Sequence, residues 1–291
     1  VTEVFLAIAI LNGLVAVYIA SLLPQALVKS ILQGIFHIFY RLEIKGLENY
    51  QKAGEKTLII ANHLSFLDAI LLSISIPAPL CFAINMHIAR RWWIRPFLFL
   101  ADTVTIDPAK PMSTRLLIEK VRSGQKVVIF PEGRLTQTGS LMKVYEGPAI
   151  IADKSNAPLL PISISGAQYT PFSRLKGRIR LRWFPKISLT CMPPESFDLP
   201  PQIQGKRRRR LASIKLYDIM TTMMFQSNEL KQTLFQSLLD ATAIHGRKHI
   251  IAEDIERMTL SYMQLITRSF ILGNSLRRLT QPGENVGVLL P

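Results

Sequence analysis

The chain has 291 residues, of which 48% are apolar, and its 35 Lys and Arg residues against 20 Asp and Glu residues give a formal net charge of +15. Disordered chains combine high charge with low hydrophobicity, so this composition excludes them. The length allows one large domain or two small ones. A basic, apolar chain suits an anionic surface, and the two candidate surfaces are a phospholipid leaflet and nucleic acid.

The first apolar stretch, Val4 to Leu23, contains no charged residue and is followed by Pro24. As a helix it would be about 30 Å long, which is enough to cross a hydrocarbon core. Three interpretations are open: a transmembrane helix, an anchor lying in the membrane plane, and a buried helix. The cations Lys29, Arg41 and Lys45 follow the segment, so the positive-inside tendency places the rest of the chain on the cytoplasmic side.

The next elements alternate between helix and strand. Polar residues recur every fourth position from Lys29 to Arg41, which predicts an amphipathic helix over 27–45. Apolar runs bounded by Gly and Pro then predict buried strands at 56–61, 80–85, 126–130 and 159–165, with helices at 69–76 and 113–123. This alternation predicts an α/β layered fold.

The two cysteines, Cys81 and Cys191, are too few for a framework of several disulfides. Cys81 lies in an apolar stretch, which is typical of a small buried hydrophobic residue. With no disulfide pattern to maintain in an oxidising space, a cytoplasmic fold is the default expectation.

Three basic clusters stand out from the rest of the sequence. Arg178, Arg180 and Arg182 alternate with apolar residues, which predicts a strand with one guanidinium face. That face is either solvated or a docking surface for an acidic partner or lipid headgroups. The mixture of Arg and Trp at 90–95 suits either the headgroup boundary or a core-lining helix whose cations reach solvent. The run 206–210 (KRRRR) indicates a linker with a candidate membrane contact, and one long Met-rich helix is predicted over 211–243.

The segment Asn62-His63-Leu64-Ser65-Phe66-Leu67-Asp68 follows a predicted strand and precedes an apolar helix. Ser65 and Asp68 fit a helix N-cap and a capping box, which explains both residues without a function. His63 lies outside the helix, at the carboxyl end of a strand, where α/β folds place ligands. A turn there can bring Asp68 to one ring nitrogen, so that the other nitrogen serves as a general base.

A second segment, Phe130-Pro131-Glu132-Gly133-Arg134, also follows a predicted buried strand. Gly133 permits close approach of the backbone, and Glu132 and Arg134 supply a carboxylate and a guanidinium suited to phosphate. Taken alone, the segment is equally consistent with a strand-end turn that carries a surface ion pair.

Together, NHLSFLD and FPEGR resemble the first and third sequence blocks of the glycerolipid acyltransferase family, and Ala157 to Ile162 (APLLPI) resembles the fourth. The resemblance covers residues 27 to 200. It implies an α/β, glycerolipid acyltransferase-like layered fold with N-terminal membrane-associated helices. It also implies transfer of a fatty acyl group from a thioester to a glycerol hydroxyl, without a covalent enzyme intermediate.

The resemblance implies roles for individual residues. His63 is the base that deprotonates the acceptor hydroxyl, and Asp68 orients it. Glu132, Gly133, Arg134 and Pro161 bind substrate, and no metal is expected.

Two departures from the family pattern concern the acceptor site. Arg134 follows Gly133 directly, whereas the family has Thr between them. Pro108 stands where the second block has an Arg that helps hold the acceptor phosphate. We therefore expect an acceptor with a singly charged phosphodiester rather than the monoester of lysophosphatidate.

The tail, residues 259–291, resembles the opening of adenylate-forming acyl-activating enzymes, in which a helix and turn precede a G-E-x-V-G-V-L-L-P strand. The combination resembles the bacterial bifunctional 2-acylglycerophosphoethanolamine acyltransferase/acyl–acyl-carrier-protein synthetases. It implies a hydrophobic membrane helix at 1–26, an acyltransferase domain at 27–200, a basic linker and helical connector at 201–258, and the truncated start of a synthetase-like domain at 259–291.

On this resemblance the donor is acyl–acyl carrier protein and the acceptor is a lysophospholipid such as 2-acyl-glycerophosphoethanolamine. The acidic carrier protein suits the guanidinium face at Arg178, Arg180 and Arg182. Acyl transfer needs no cofactor, and ATP and Mg would belong to the missing synthetase domain. Membrane phospholipid and a lysophospholipid transporter are further candidate partners, and the expected location is the bacterial inner membrane with the site on its cytoplasmic side.

Two alternatives remain. One is a lysophosphatidate acyltransferase that uses acyl-CoA or acyl–acyl carrier protein. The other is a catalytically inactive module that binds membrane. No nucleic-acid-binding motif accompanies the charge, so nucleic acid is not an expected partner.

Overall fold

In a computed structural model of the chain, the structure describes residues 2–22, 25–94, 98, 101–107, 110–227, 232–281 and 283–287. These residues divide into two compact units. The first comprises residues 1–175 and 181–228, and the second comprises residues 176–180 and 229–291.

The first unit is a sheet with helices on both faces. Its helices are α1 (Thr2–Leu22), α2 (Gln25–Tyr40), α3 (Leu47–Lys52), α4 (Asp68–Ser75), α5 (Met86–Ala89), α6 (Pro111–Arg122), α7 (Glu146–Ser155) and α8 (Gly205–Gln226). Its strands are β1 (Glu43–Lys45), β2 (Leu58–Ala61), β3 (Leu80–Asn85), β4 (Asp102–Ile106), β5 (Lys126–Ile129), β6 (Leu159–Ser165) and β7 (Ser188–Cys191).

The seven strands form one sheet in the order β1-β7-β6-β2-β5-β3-β4. All neighbouring pairs are parallel except β6 and β7. Strand β2 is central, with β6 on one side and β5 on the other, both parallel to it. The carboxyl ends of these three strands therefore meet at the same edge of the sheet.

The core lies on both faces of β2, because alternate side chains of a strand point to opposite faces. Leu58 and Ile60 pack with residues of α6, α7 and α8, whereas Ile59 and Ala61 pack with residues of α2 and α4. All four are fully buried, which explains why the strand is a continuous apolar run.

The four predicted strands at 56–61, 80–85, 126–130 and 159–165 are confirmed as β2, β3, β5 and β6, and the mixed α/β fold is confirmed with them. The short strands β1, β4 and β7 were not predicted. Alternate residues of β7 are partly exposed, and in β4 every residue except Val104 is at least partly exposed, so neither strand carries a continuous apolar run in sequence.

The predicted N-terminal helix is present as α1. Its described apolar side chains are exposed, among them Val4, Phe5 and Leu6, so the interpretation of a buried helix is wrong. No helix formed by the described residues is both long enough and apolar enough to cross a membrane. Leu23 and Pro24, at the end of the predicted segment, lie outside the described residues.

The predicted guanidinium strand is not formed. Residues 178–183 make turns and irregular backbone rather than a strand, and Gly177 begins this stretch with a φ of 83°. Arg178, Arg180 and Arg182 are exposed, but the first two belong to the second unit and Arg182 belongs to the first.

The basic run at 206–210 is helical and forms the first turns of α8. Arg208 makes a two-pronged ion pair with Asp153 of α7, with its Nη2 2.7 Å and its Nε 2.8 Å from the two carboxylate oxygens. The single helix predicted over 211–243 is wrong. The structure has α8, ending at Gln226, and a separate helix in the second unit.

The described residues of the Arg–Trp cluster at 90–95 are mostly exposed. Arg90, Arg91 and Trp92 are exposed, and residues 92–94 form one turn of 3-10 helix that ends at the buried Ile94. Arg95 lies outside the described residues, as does Pro108. A headgroup contact at this cluster stays a prediction.

The second unit contains a helix, a hairpin and a second helix: α9 (Leu234–His245), β8 (Ile250–Glu253), β9 (Thr259–Ser261) and α10 (Tyr262–Leu279). Ser261 caps α10 through a capping box with Gln264. The helix predicted within the tail is confirmed as α10. The strand predicted at the end of the tail, 283–291, is not formed over the described residues 283–287, and residues 288–291 lie outside the described residues.

Candidate active site

The carboxyl ends of β2, β5 and β6 are each followed by a loop, and these loops contact one another. The loop after β2 (62–67) carries His63, the loop after β5 (130–145) carries Glu132 and Arg134, and the loop after β6 (166–175) continues to Arg174. The amide of Thr136 donates to the carbonyl of His63 at 2.8 Å, and the amide of Phe66 donates to the carbonyl of Phe172 at 3.2 Å. The loop of β2 is therefore held between the other two.

His63 and Asp68 are brought together as the sequence predicts. The Nδ1 atom of His63 lies 2.9 Å from Oδ2 of Asp68. The same oxygen accepts the amides of Leu64 at 2.6 Å and Ser65 at 2.9 Å. Asp68 is fully buried and begins α4, where the helix N-terminus favours a negative charge. The carboxylate thus closes the turn and orients the ring at the same time.

The predicted capping arrangement is only half present. Asp68 accepts the Ser65 amide, as a capping box requires, but α4 begins at Asp68 rather than directly after Ser65. The Ser65 hydroxyl accepts the amide of Leu67 at 3.1 Å and lies 3.2 Å from the hydroxyl of Thr170. It therefore ties the turn to the loop after β6 instead of capping the helix.

The imidazole of His63 is shielded on one face. It stacks on Phe130 with ring centroids 4.1 Å apart and planes 15° apart. The His63 side chain is 20% exposed to solvent, and no described residue forms a hydrogen bond with Nε2. With Nδ1 directed at Asp68, Nε2 is the nitrogen that remains for an acceptor hydroxyl.

Glu132 is buried, with 1% of its surface exposed, and both of its oxygens accept backbone amides. One oxygen accepts the amide of His63 at 3.1 Å, and the other accepts the amide of Met142 at 3.0 Å. Burial raises the pKa of this carboxyl, outweighing the two backbone hydrogen bonds that lower it. The structure thus places Glu132 beneath the site, against the backbone of His63.

Gly133 and Arg134 lie on the outer side of the same loop. Gly133 has a φ of 63°, and a Cβ atom added there would lie 3.3 Å from the ring of Tyr145. The left-handed backbone and the close ring both favour glycine. Arg134 is exposed, and no described residue forms an ion pair with it.

Pro161 is buried within β6, in register with Ile60 of β2. Its carbonyl accepts the amide of Met192 at 2.9 Å. The position is part of the sheet rather than of the three loops, and a role for Pro161 in substrate binding stays a prediction.

Asn62 has a structural role that the sequence analysis did not assign. Its buried amide group donates to the carbonyl of Ile164 at 2.9 Å and accepts the amide of Ile164 at 2.8 Å. This two-way contact locks the end of β2 to β6, immediately before His63. The signal in the sequence was a polar residue directly following a fully apolar strand.

The described residues contain no group of three or more His, Cys, Asp or Glu side chains arranged to hold a metal ion. Oδ1 of Asp68 is buried without a hydrogen-bond partner among the described residues. Cys81 and Cys191 are buried as predicted, and burial raises the pKa of the Cys191 thiol to about 11.

A cavity of about 830 Å³ lies between α6, α7 and α8. Its floor includes Ile118, Ile150 and Ala212, and its rim includes Arg115 and Arg209. Its lining does not include His63, so it is separate from the candidate active site.

Comparison with known proteins agrees with the motifs. Residues 41–165 match the family model described as Acyltransferase. Chloroplastic 1-acyl-sn-glycerol-3-phosphate acyltransferase BAT2 of Brassica napus is 28% identical over 44% of this chain and 38% of its own length. The 1-acyl-sn-glycerol-3-phosphate acyltransferase of Pseudomonas aeruginosa is 27% identical over 45% of this chain and 52% of its own length.

Similarity extends to an animal relative and to a solved structure. The alpha 1-acyl-sn-glycerol-3-phosphate acyltransferase of Mus musculus is 26% identical over 59% of this chain and 62% of its own length. The crystal structure of 1-acyl-sn-glycerophosphate (LPA) acyltransferase PlsC from Thermotoga maritima aligns over 73% of this chain and 89% of that chain, with 20% identity and a TM-score of 0.46.

The chain spans less than two thirds of the length of these curated relatives. The matched segment, 41–165, contains the His63–Asp68 pair and the Glu132–Arg134 turn, and this part of the chain is similar to the acyltransferase family. The family match and the curated relatives support an O-acyltransferase enzyme.

Proposed function

We propose that this protein transfers a fatty acyl group from a thioester to the free hydroxyl of a lysoglycerophospholipid. The observation that carries the proposal is the His63–Asp68 pair, 2.9 Å apart, at the edge of the sheet, whose other ring nitrogen has no hydrogen-bond partner among the described residues. This arrangement is that of a general base with an orienting carboxylate.

The mechanism follows from the geometry. Asp68 accepts a hydrogen bond from Nδ1–H and so keeps the lone pair on Nε2. Nε2 takes the proton of the acceptor hydroxyl as its oxygen forms a C–O bond to the thioester carbonyl. The C–S bond then breaks, and the departing thiolate takes the proton from the imidazolium. The stacking of His63 on Phe130 limits rotation of the ring during both proton transfers.

Two acceptors are in competition. The sequence departure at Pro108 supports a singly charged phosphodiester such as 2-acyl-glycerophosphoethanolamine. The names of the relatives support 1-acyl-glycerol-3-phosphate, which is lysophosphatidate. We favour the phosphodiester, because loss of a cation weakens the binding of a doubly charged phosphate monoester more than it weakens the binding of a singly charged phosphodiester. Faster acylation of lysophosphatidate than of lysophosphatidylethanolamine by the purified protein would overturn this preference.

The donor we propose is acyl–acyl carrier protein, with acyl-CoA as the alternative. A carrier protein is acidic, and the chain has an excess of cations. We propose that the exposed Arg178 and Arg180 of the second unit contribute to its docking and, as a separate contact, that the exposed Arg182 of the first unit does so. A location at the cytoplasmic side of a bacterial inner membrane also belongs to this proposal.

The test is incubation of the purified protein with labelled acyl–acyl carrier protein or acyl-CoA and a panel of lysophospholipids, followed by product analysis. His63→Ala is expected to lower the acyl transfer rate by about two to four orders of magnitude, because a positioned general base contributes about that much. His87→Ala is the matched control, since His87 is exposed and outside the three loops.

Membrane binding by both variants should equal that of the parent protein in a vesicle flotation assay. Acyl transfer that survives His63→Ala would exclude His63 as the base. An absence of transfer by the parent protein with every donor and acceptor would favour the inactive, membrane-binding module.

A further inference from the structure

The loop after β6 carries an exposed arginine, Arg174, beside the turn that holds His63. It lies beyond residue 165, where the family match ends, and outside the sequence blocks that resemble the family. No motif in the sequence assigns it a role. The position of Arg174 relative to the three loops indicates a role.

The sheet order places His63 between two arginines. Strand β2, which leads to His63, pairs with β5 on one side and with β6 on the other. The loop after β5 carries Arg134, and the loop after β6 carries Arg174. Because all three strands are parallel, both loops emerge at the edge where His63 lies.

Contacts between the two loops hold Arg174 next to the His63 turn. Ser173 forms an antiparallel bridge with Ser65, and the carbonyl of Phe172 accepts the amide of Phe66. Ser173 and Leu175 are buried, with 9% and 1% exposure, so the side chain between them is directed outward. The guanidinium carbon of Arg174 lies 6.0 Å from the centre of the Phe66 ring, on the same turn as His63.

The charge of Arg174 is not neutralised within the described part of the chain. No described Asp or Glu forms an ion pair with it. The nearest acids of the site are otherwise engaged, since Asp68 binds His63 and Glu132 binds two backbone amides. An exposed guanidinium on each side of His63 therefore leaves a positive potential there for an anionic group.

We propose that Arg174 is a phosphate-binding residue for the acceptor, acting together with Arg134 from the opposite side of His63. The proposal rests on the proposed function and names the group that its acceptor must carry, a glycerol phosphate. A guanidinium binds two phosphate oxygens at once, which would hold the glycerol so that its free hydroxyl meets Nε2 of His63.

The test compares three acceptors in the same detergent micelles: lysophosphatidylethanolamine, lysophosphatidate and the phosphate-free monoacylglycerol. Arg174→Ala is expected to raise KM for the two phosphate acceptors about tenfold, the loss of one charge-assisted contact, with kcat within about twofold. The rate with monoacylglycerol should not change. Arg174→Lys keeps the charge but not the planar fork, so an intermediate KM is expected.

Arg209→Ala is the matched control, because Arg209 is an exposed arginine on α8, outside the three loops. Equal effects of the two Ala variants would overturn the proposal. So would an equal loss of activity with all three acceptors by an Arg174→Ala protein that melts like the parent protein.

Equilibrium binding of lysophosphatidylethanolamine, measured without any thioester, tests the role of Arg174 separately from the proposed function. If the parent protein binds but transfers no acyl group, the proposed function fails. In that case tenfold weaker binding by Arg174→Ala supports the proposal, and unchanged binding refutes it.

Discussion

Two carboxylates hold His63, and each acts on a different part of the residue. Asp68 accepts from the ring nitrogen Nδ1, while Glu132 accepts from the backbone amide. The amide of Thr136 completes the set by donating to the His63 carbonyl. The ring and both backbone polar groups of His63 are therefore fixed before any substrate binds.

The burial of Glu132 changes how its motif is understood. The resemblance implies a place in the acceptor site, but both oxygens of Glu132 already accept backbone amides and 1% of the residue is exposed. A carboxylate in this position holds two loops together. Its expected effect on catalysis passes through the position of His63.

We predict that Glu132→Ala lowers kcat about 10- to 100-fold and changes KM for the acceptor less than threefold. The reason is that a displaced base costs rate even when the binding surface is intact. Steady-state kinetics over a range of acceptor concentrations measure both constants, and Glu132→Gln should recover part of kcat, because its amide oxygen can still accept the His63 amide.

Glu119→Ala serves as the control, since Glu119 is exposed on α6, outside the three loops, and pairs with Arg115. A large rise in KM with unchanged kcat for Glu132→Ala would instead indicate direct contact with the acceptor.

Among the elements, α8 departs furthest from the sequence interpretation. Its first turns are the basic run that indicated a linker, yet the helix packs on the sheet through Ala212, Leu216, Met220 and Met223. These positions recur at helical spacing, as an amphipathic helix requires. The arginines of the run face outward except Arg208, which binds Asp153.

We predict that Leu216→Ala destabilises the protein by about 2–5 kcal/mol, because Leu216 is fully buried and its truncation leaves a cavity. Ile214→Ala is the matched control, since Ile214 lies two positions away on the same helix and is 47% exposed. Urea unfolding followed by far-UV circular dichroism measures the difference. Equal effects of the two substitutions would show that α8 does not pack on the sheet in solution.

The strands show which elements a sequence pattern can predict. Strands β2, β3, β5 and β6 were predicted because strands buried on both faces are continuous apolar runs. The edge strands β1 and β4 and the short β7 were missed, because their residues are partly exposed and their pairing depends on distant parts of the chain. The alternation at 178–183 has the period of a strand but has no neighbouring strand with which to pair.

Across the whole molecule, the excess positive charge is distributed over several surfaces. Exposed cations occur at the Arg–Trp cluster, on the first turns of α8 and around residues 178–182. Most of this charge is solvated, and single exposed charges contribute little to stability. Two further arginines, Arg134 and Arg174, lie beside the candidate active site, and on our proposal they determine substrate choice more than the total charge does.

We also predict that one buried carboxyl makes the stability of the whole fold depend on pH. Burial raises the pKa of Glu132 above its ordinary value of 4.5, so the folded state holds this proton more tightly than the unfolded state. The stabilising contribution of the protonated form is therefore full below the ordinary pKa and is lost as pH rises through the folded-state pKa.

The Glu132→Gln variant has no carboxyl at this position, so its stability does not lose this contribution as pH rises. The free energy of unfolding of the parent protein, relative to that of Glu132→Gln, should fall as pH rises from about 4 to 7. Urea unfolding midpoints at several pH values measure the difference. Two profiles that stay parallel over this range would contradict the prediction.

The sequence by itself determined the α/β class, the four central strands and the pairing of His63 with Asp68. These features depend on residues close together in the chain, where apolar periodicity and turn geometry act directly. The acyltransferase motifs were also present in the sequence, although their spacing does not reveal which side chains are buried.

Only the tertiary structure decided which side chains surround His63. Glu132 and Arg174 reach the His63 turn because β5 and β6 pair with β2, and that pairing joins residues far apart in the chain, 69 positions in the case of His63 and Glu132. The difference in burial gives Glu132 and Arg174 different roles. The carboxyl of Glu132 is enclosed and bound to the backbone, whereas the guanidinium of Arg174 is exposed and has no acidic partner among the described residues.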